Sequence, residues 1–255
     1  TQKMKNLFTF YTLLLFSFFL NAQNLKSPDN NLDLNFSIDK KGRAFYSLNF
    51  HDKPVILNSG LGFILKDNVE WMKIDTLDMM NNFKVLNVTF DSVDEYWNPV
   101  WGEESEIRNN YNEMFVELEQ KESERKVNIR FRLFDDSLGF RYEFPLQEKL
   151  GSFIIIDEKT EFAMSGDHTA IWIPGDYDTQ EYNYTTSKLS EIEQKSIEFR
   201  EENVSMYRIS NWAVQTALMM KSQNGLYINI HEAALIEYSA MHLEFNPVNM
   251  TFESH

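Results

Sequence analysis

The chain reads as an all-β protein, an antiparallel sandwich of two large sheets with at most one or two short helices. Three observations lead there. Short runs with period-two alternation recur along most of its length. Phe, Tyr and Trp make up 15% of residues, a composition suited to strands and stacking surfaces. One segment alone has a helical look, and no Pro/Gly-rich linker divides the chain.

In order, Leu32, Leu34, Phe36 and Ile38 fall on one face of a strand. Lys40 to Arg43 is a turn, and Ala44 to Phe50 is the return strand. Val55 to Leu57 and Leu61 to Leu65 read as two strands split by Asn58-Ser-Gly60, and Lys84 to Asp91 as a further one. The clearest hairpin follows. Val127, Ile129, Phe131 and Leu133 alternate with polar residues, Asp135 to Gly139 turns the chain, and Phe140, Tyr142 and Phe144 return. Phe153 to Ile156, Glu161 to Met164, Ala170 to Ile173, Val214 to Met220, Leu226 to His231 and Met241 to Phe245 continue the series. Asn249 to Phe252 is the last strand. Ser187 to Glu202 is rich in Glu, Lys, Gln and Ser with sparse apolar positions, which suits a solvated helix or a mobile loop. So many strands exceed one small sheet, hence two stacked ones.

The first residues read as an address. Met4 is the expected start, with Thr1 to Lys3 as upstream read-through. Lys5 supplies a positive charge, and Leu7 to Leu20 form an apolar run broken by Thr9, Thr12 and Ser17. Asn21-Ala-Gln23 offers a cleavage point, so residues 1–22 are expected to be a secretory signal peptide and 23–255 the mature domain. Leu20 is larger than the small residue usual three positions before the cut, and an uncleaved amphipathic anchor is the other reading. The run is short for a membrane span of about 20 residues. The absence of cysteine excludes disulfide scaffolds, thiolate metal sites, thiol nucleophiles and a Cys-linked lipid anchor. An exported, disulfide-free chain of this size fits a bacterial periplasm. A formal net charge of -15 argues against binding nucleic acid and suits a divalent cation.

Two segments lack strand periodicity and are dense in Trp, Tyr, Asn and carboxylate: Trp101 to Glu113 and Ile173 to Tyr182. Aromatic faces stack on sugars and carboxylates coordinate calcium, so Trp97 to Asn112 and Asp176 to Tyr182 are expected to be site-bearing loops towards one rim of the sandwich. The plainer alternative is two ordered loops on an acidic β protein. No Gly-rich phosphate loop, G-x-S-x-G elbow or H-E-x-x-H is present. His231-Glu232 begins a zinc-like motif, but Leu235 stands where the second His belongs. The carboxylate pairs Glu103/Glu104, Asp176/Asp178 and Glu181/Glu232 are of the kind a glycosidase uses, and a chain this acidic supplies them by chance.

Taken together and in order, several segments closely resemble the N-terminal domain of glycoside hydrolase family 97. They are Ser27 to Leu32, Trp97 to Glu104, Glu106 to Glu113, Phe131 to Asp136, Gly139 to Pro145, Trp172 to Tyr182, Gln215 to Met219 and Gly225 to Leu235. The resemblance extends to the family's periplasmic α-glucosidases of starch-utilisation systems. The resemblance implies a β-super-sandwich of the galactose-mutarotase type, followed in the complete protein by a catalytic (β/α)8 barrel and a C-terminal β domain. It implies hydrolysis of α-glucosidic or α-galactosidic bonds, with calcium bound near catalytic carboxylates that lie in the barrel. The chain is therefore expected to be a front end without the barrel, inactive alone, with an α-linked oligosaccharide or glycoside as the substrate of the whole. No catalytic residue is carried over and no substrate-binding residue is assigned. The Asp-Thr-Gln-Glu-Tyr motif carries one metal ligand over, Glu181, as a calcium ligand of the complete enzyme. Two alternatives stand beside this: a free-standing carbohydrate-binding sandwich, and an aldose-epimerase-like enzyme using His168, His231 and Glu232.

Overall fold

The computed structural model describes residues 22–67, 76–198 and 206–255. The expected signal segment lies outside them, save Ala22. The described chain is built almost wholly of antiparallel strands. β1 (Gln23–Lys26), β2 (Leu32–Ile38), β3 (Ala44–Phe50) and β4 (Lys53–Leu61) pair in sequence order as one sheet. β5 (Phe63–Asp67) and β6 (Thr76–Met79) precede the long hairpin of β7 (Phe83–Trp97) and β8 (Ile107–Gln120). β9 (Lys126–Leu133) and β10 (Leu138–Glu143) complete a sheet ordered β10-β9-β8-β7, and β11 (Phe153–Glu158) pairs with β5.

β12 (Glu161–Ala163), β13 (Thr169–Trp172) and β14 (Thr185–Lys188) follow. A 3-10 turn, Leu189–Glu191, then runs into the short helix α1 (Ile192–Glu198). The last strands are β15 (Ala213–Gln215), β16 (Leu218–Lys221), β17 (Tyr227–Ile230), β18 (His242–Asn246) and β19 (Thr251–Ser254). They make two further sheets, ordered β12-β19-β18-β15 and β14-β13-β16-β17. A bridge between Ile56 and Met164 joins the first of these to β4, extending that layer.

The core lies between the layers. Leu34, Phe36 and Tyr46 point inward from β2 and β3 and are fully buried. Phe131 of β9 meets Phe36 at 5.8 Å and Tyr46 at 6.5 Å between ring centroids, and Phe140 of β10 lies 5.3 Å from Tyr46. The alternation that marked these strands is thus the pattern of their inward faces. Leu189 and Ile192 add the inner side of the helical segment to the same core.

Four expectations are corrected. Asn58-Ser-Gly60 does not split a strand, because β4 runs through it to Leu61 and the break falls at Gly62. Gly60 is needed for another reason. Its N–H donates to Glu161 Oε2 (2.6 Å), and Arg43 Nη2 donates to Glu161 Oε1 (2.7 Å). A Cβ there would sit 2.8 Å from both the Arg43 guanidinium carbon and Glu161 Oε2. Second, Trp97 to Asn112 is not one loop. β7 and β8 stay paired out to Trp97 and Ile107, leaving only the tip between them irregular. Third, Val214 to Met220 is two strands, β15 and β16, in different sheets. Fourth, Ser187 to Glu202 begins as the end of a strand, and its described α-helical part is Ile192–Glu198. No helix among the described residues is long and apolar enough to cross a membrane.

Candidate functional site

β13 delivers the chain to the candidate loop. Trp172 is fully buried and its indole N–H donates to Ser187 Oγ (3.0 Å), locking β13 to β14. Ile173, Pro174 and Gly175 follow, buried against β15. Gly175 N donates to Ala213 O (2.8 Å), and a Cβ on Gly175 would lie 2.6 Å from the Ala213 Cβ, so the approach requires glycine.

Asp176 comes next, 2% exposed, and it organises the loop. Its Oδ1 accepts from the N–H groups of Asp178 (2.8 Å), Thr179 (3.1 Å) and Tyr207 (3.0 Å). Its Oδ2 accepts from the Tyr182 hydroxyl (2.7 Å) and again from Tyr207 N (3.0 Å). Burial by itself would raise the carboxyl's pKa. The donors from Tyr207, Tyr182, Asp178 and Thr179 outweigh it and hold the group below its ordinary range, charged at neutral pH.

The Asp176 carbonyl is held as firmly. Gln215 Nε2 donates to it (3.1 Å) and to Thr179 O (2.9 Å), while Gln180 Nε2 donates to Gln215 Oε1 (3.1 Å). His242 Nε2 lies 3.1 Å from the same carbonyl. A carbonyl can only accept, so Nε2 carries the hydrogen. Burial lowers the His242 pKa, keeping the ring neutral. Outside this frame stand the rings of Tyr177 and Tyr207, both more than half exposed, 5.7 Å apart, with His242 edge-on to Tyr177 at 5.5 Å.

Glu181 occupies an exposed position between two pinned residues. Its N–H donates to Thr179 Oγ1 (3.1 Å), and Tyr182 beside it is tied to Asp176. Its carboxylate takes part in no ion pair or hydrogen bond with the described residues. As an open, hard oxygen donor it fits calcium in kind. It fits as one ligand among several, since no group of three His, Asp or Glu that could hold a metal occurs among the described residues. Asp178 lies exposed in the same loop.

The other candidates are dispersed. His168 is 3% exposed, with its Nδ1 unpartnered and Nε2 3.4 Å from Ser165 Oγ, and burial lowers its pKa. His231 is exposed and donates through Nδ1 to the neighbouring Glu232 carbonyl (3.1 Å). Glu232 Oε1 accepts from Met241 N (2.9 Å), a structural bond. Nothing in these partners gathers His168, His231 and Glu232 into an acid–base pair. Glu103 and Glu104 are exposed at the tip of the β7–β8 hairpin. That hairpin is fastened along its length by Arg108 to Asp94 (2.7 and 2.8 Å), Asn109 to Glu95 (2.9 Å) and Asn112 to the Lys26 carbonyl (2.8 Å). The Asp176 loop is anchored instead on β15 and β18. The two segments therefore hang from different sheets. The roles of Asp176, Gln215, Tyr207 and His242 were not read from sequence. Only Asp176 left a local sign, an Asp whose following residues suit an Asx turn.

The model of the family described as "Glycosyl-hydrolase 97 N-terminal" matches residues 25–254. A retaining alpha-galactosidase of Bacteroides thetaiotaomicron is 24% identical across 94% of this chain and 33% of its own. A glycoside hydrolase family 97 enzyme from Pseudoalteromonas sp. strain K8, solved in complex with acarbose, is similar at 31% identity and a TM-score of 0.76. That match covers 91% of this chain and 31% of the enzyme. A beta-arabinopyranosidase at 19% identity and a TM-score of 0.72, over 91% of this chain and 35% of its own, shares the fold. The chain spans about a third of the length of these relatives. With the family model matched from the first strand to the last, the chain belongs to the glycosyl-hydrolase 97 N-terminal family.

Proposed function

We propose that this domain is the N-terminal part of a secreted, calcium-dependent α-glycosidase of the α-glucosidase or α-galactosidase type. In that reading it packs on the catalytic barrel of the complete protein and completes the rim of the active site with the Asp176–Tyr182 loop. Glu181 supplies one calcium ligand from this side, and the barrel supplies the remaining ligands and both catalytic carboxylates. The observation that carries the reading is the family match together with a carboxylate that no described residue pairs, on a loop rigidly held beneath it. The name of the alpha-galactosidase relative and the acarbose complex support an α-linked glycoside as substrate. The leader-like residues ahead of Gln23 support export to the periplasm. Bound there, calcium would polarise or position groups next to the scissile bond. The part played by this chain is to hold one oxygen donor in place and to wall the site from water.

Calcium titration of the complete enzyme by calorimetry, with and without Glu181→Gln, tests the assignment. The substitution is expected to lower both calcium affinity and hydrolysis of a chromogenic α-glycoside. Unchanged affinity and activity would remove Glu181 from the metal site. Residues 23–255 alone are expected to release no chromophore from either α-glucoside or α-galactoside, and measurable release would overturn the placement of catalysis in the barrel.

A further inference from the structure

We infer that Asp176, with Gln215 as its partner, is a positioning residue for the Glu181 carboxylate: it shapes the loop that presents the ligand and is not itself a ligand. The inference rests on the reading of Glu181 as a calcium ligand. Both Asp176 oxygens are engaged by protein donors, three N–H groups on Oδ1 and a hydroxyl and an N–H on Oδ2, inside a 2% exposed environment. No oxygen of Asp176 faces outward toward a cation.

The bonds have a particular distribution along the chain. Residues 178, 179 and 182 are tied to the Asp176 carboxylate, and 179 and 180 to the Gln215 amide. Glu181 is the residue whose neighbours on both sides are fixed while its own carboxylate is bonded to none of the described residues. A buried charge is costly unless fully hydrogen-bonded, and an apolar residue at 176 would leave the N–H groups of Asp178 and Thr179 in this turn, and of Tyr207 beside it, without an acceptor. The arrangement therefore confines the Glu181 backbone and leaves only its side-chain torsions to be ordered when metal binds. Confinement before binding reduces the entropy lost on binding. Partners that orient a metal ligand in this way are worth about 10–100-fold in metal affinity.

The test uses the complete enzyme and two metal readouts, calcium calorimetry and terbium luminescence, on Glu181→Gln, Asp176→Asn, Gln215→Met and the double variant Asp176→Asn/Glu181→Gln. Asp176→Asn keeps one acceptor oxygen and removes the other. Gln215→Met keeps the volume and removes both donors. Each is expected to weaken binding by roughly tenfold or more. The double variant is expected to bind no more weakly than Glu181→Gln alone, because the bonds at 176 act through residue 181. Binding within twofold of the parent for both Asp176→Asn and Gln215→Met, with Glu181→Gln weakened, overturns the positioning role. So does a double variant that loses the two factors multiplied, since Asp176 would then act on the metal independently. Parent-like binding by Glu181→Gln instead overturns the metal assignment itself, and this inference with it. Should Asp176→Asn fail to fold, Gln215→Met decides.

Discussion

Gly60→Ala is a small change with a large calculated consequence. Gly60 has no left-handed backbone to protect, so the methyl group matters only through what it meets. It meets the Arg43–Glu161 pair, an ion pair with side chains 28% and 22% exposed, whose guanidinium also lies over the Phe45 ring at 5.1 Å. Displacing a charge-assisted bond costs about 1.5–3 kcal/mol when buried, and about 1–2 kcal/mol at this exposure. Pushing Glu161 off the Gly60 N–H adds about 1 kcal/mol. The lower entropy of the unfolded alanine chain returns about 0.4–1 kcal/mol. The net loss is about 2 kcal/mol, or roughly 4–8 °C in Tm for a domain of this size.

Urea denaturation of four proteins measures it: parent, Gly60→Ala, Arg43→Met and the double variant. Methionine keeps the aliphatic stem over Phe45 and removes the guanidinium that the methyl would strike, leaving Glu161 free to shift. The cost of Gly60→Ala should therefore fall by at least about 1 kcal/mol in the Arg43→Met background, well above the roughly 0.3–0.5 kcal/mol scatter of independent sites. Equal cost in both backgrounds would refute the reasoning and return Gly60 to a conformational role.

Phe131→Ala, at the fully buried centre of four packed rings, should cost about 3–5 kcal/mol, whereas Phe90→Ala on the half-exposed edge strand should stay within about 0.5 kcal/mol. Similar denaturation midpoints for the two would contradict the placement of the core. Burial lowers the folded-state pKa of both His168 and His242 below 6.5, so the unfolded chain takes up protons first as pH falls. Their contribution to stability is present above about pH 6.5 and lost on going down toward their folded-state values. The urea midpoint should drop between pH 7.5 and 5.5, and His168→Gln should lessen the drop; a parent midpoint that holds steady over this interval would show that neither ring is kept neutral by folding.

Much of the architecture was legible because the core lies between layers. Leu32, Leu34 and Phe36, or Val127, Ile129 and Phe131, alternate since one face of each strand is dry and the other wet. Where that asymmetry fails, so did the reading. The outer halves of β7 and β8 expose Asp94, Glu95, Tyr96 and Trp97 on both faces, and cross-strand polar pairs hold them, so no alternation marks them as strand. Gly60 looked like a turn because glycine is permissive, although here it makes room for a distant carboxylate. The candidate loop was visible as a composition, and Glu181 through a family likeness. Its supports, Tyr207, Gln215 and His242, carry no local signature, since each serves a residue far away in sequence.

That distance has a consequence for biosynthesis. The bonds that shape the Asp176 loop come from positions 31, 39 and 66 residues further along the chain. While a ribosome is still making that stretch, the segment around Glu181 lacks the strands that brace it. The local bonds of Asp176 to residues 178, 179 and 182 can form early, but the braces from Tyr207, Gln215 and His242 need those residues to be made and β15 and β18 to be in place. A reporter of the Tyr207, Gln215 or His242 contacts would therefore register the arrival of these distant strands, whereas one of the Asp176 turn would register local structure.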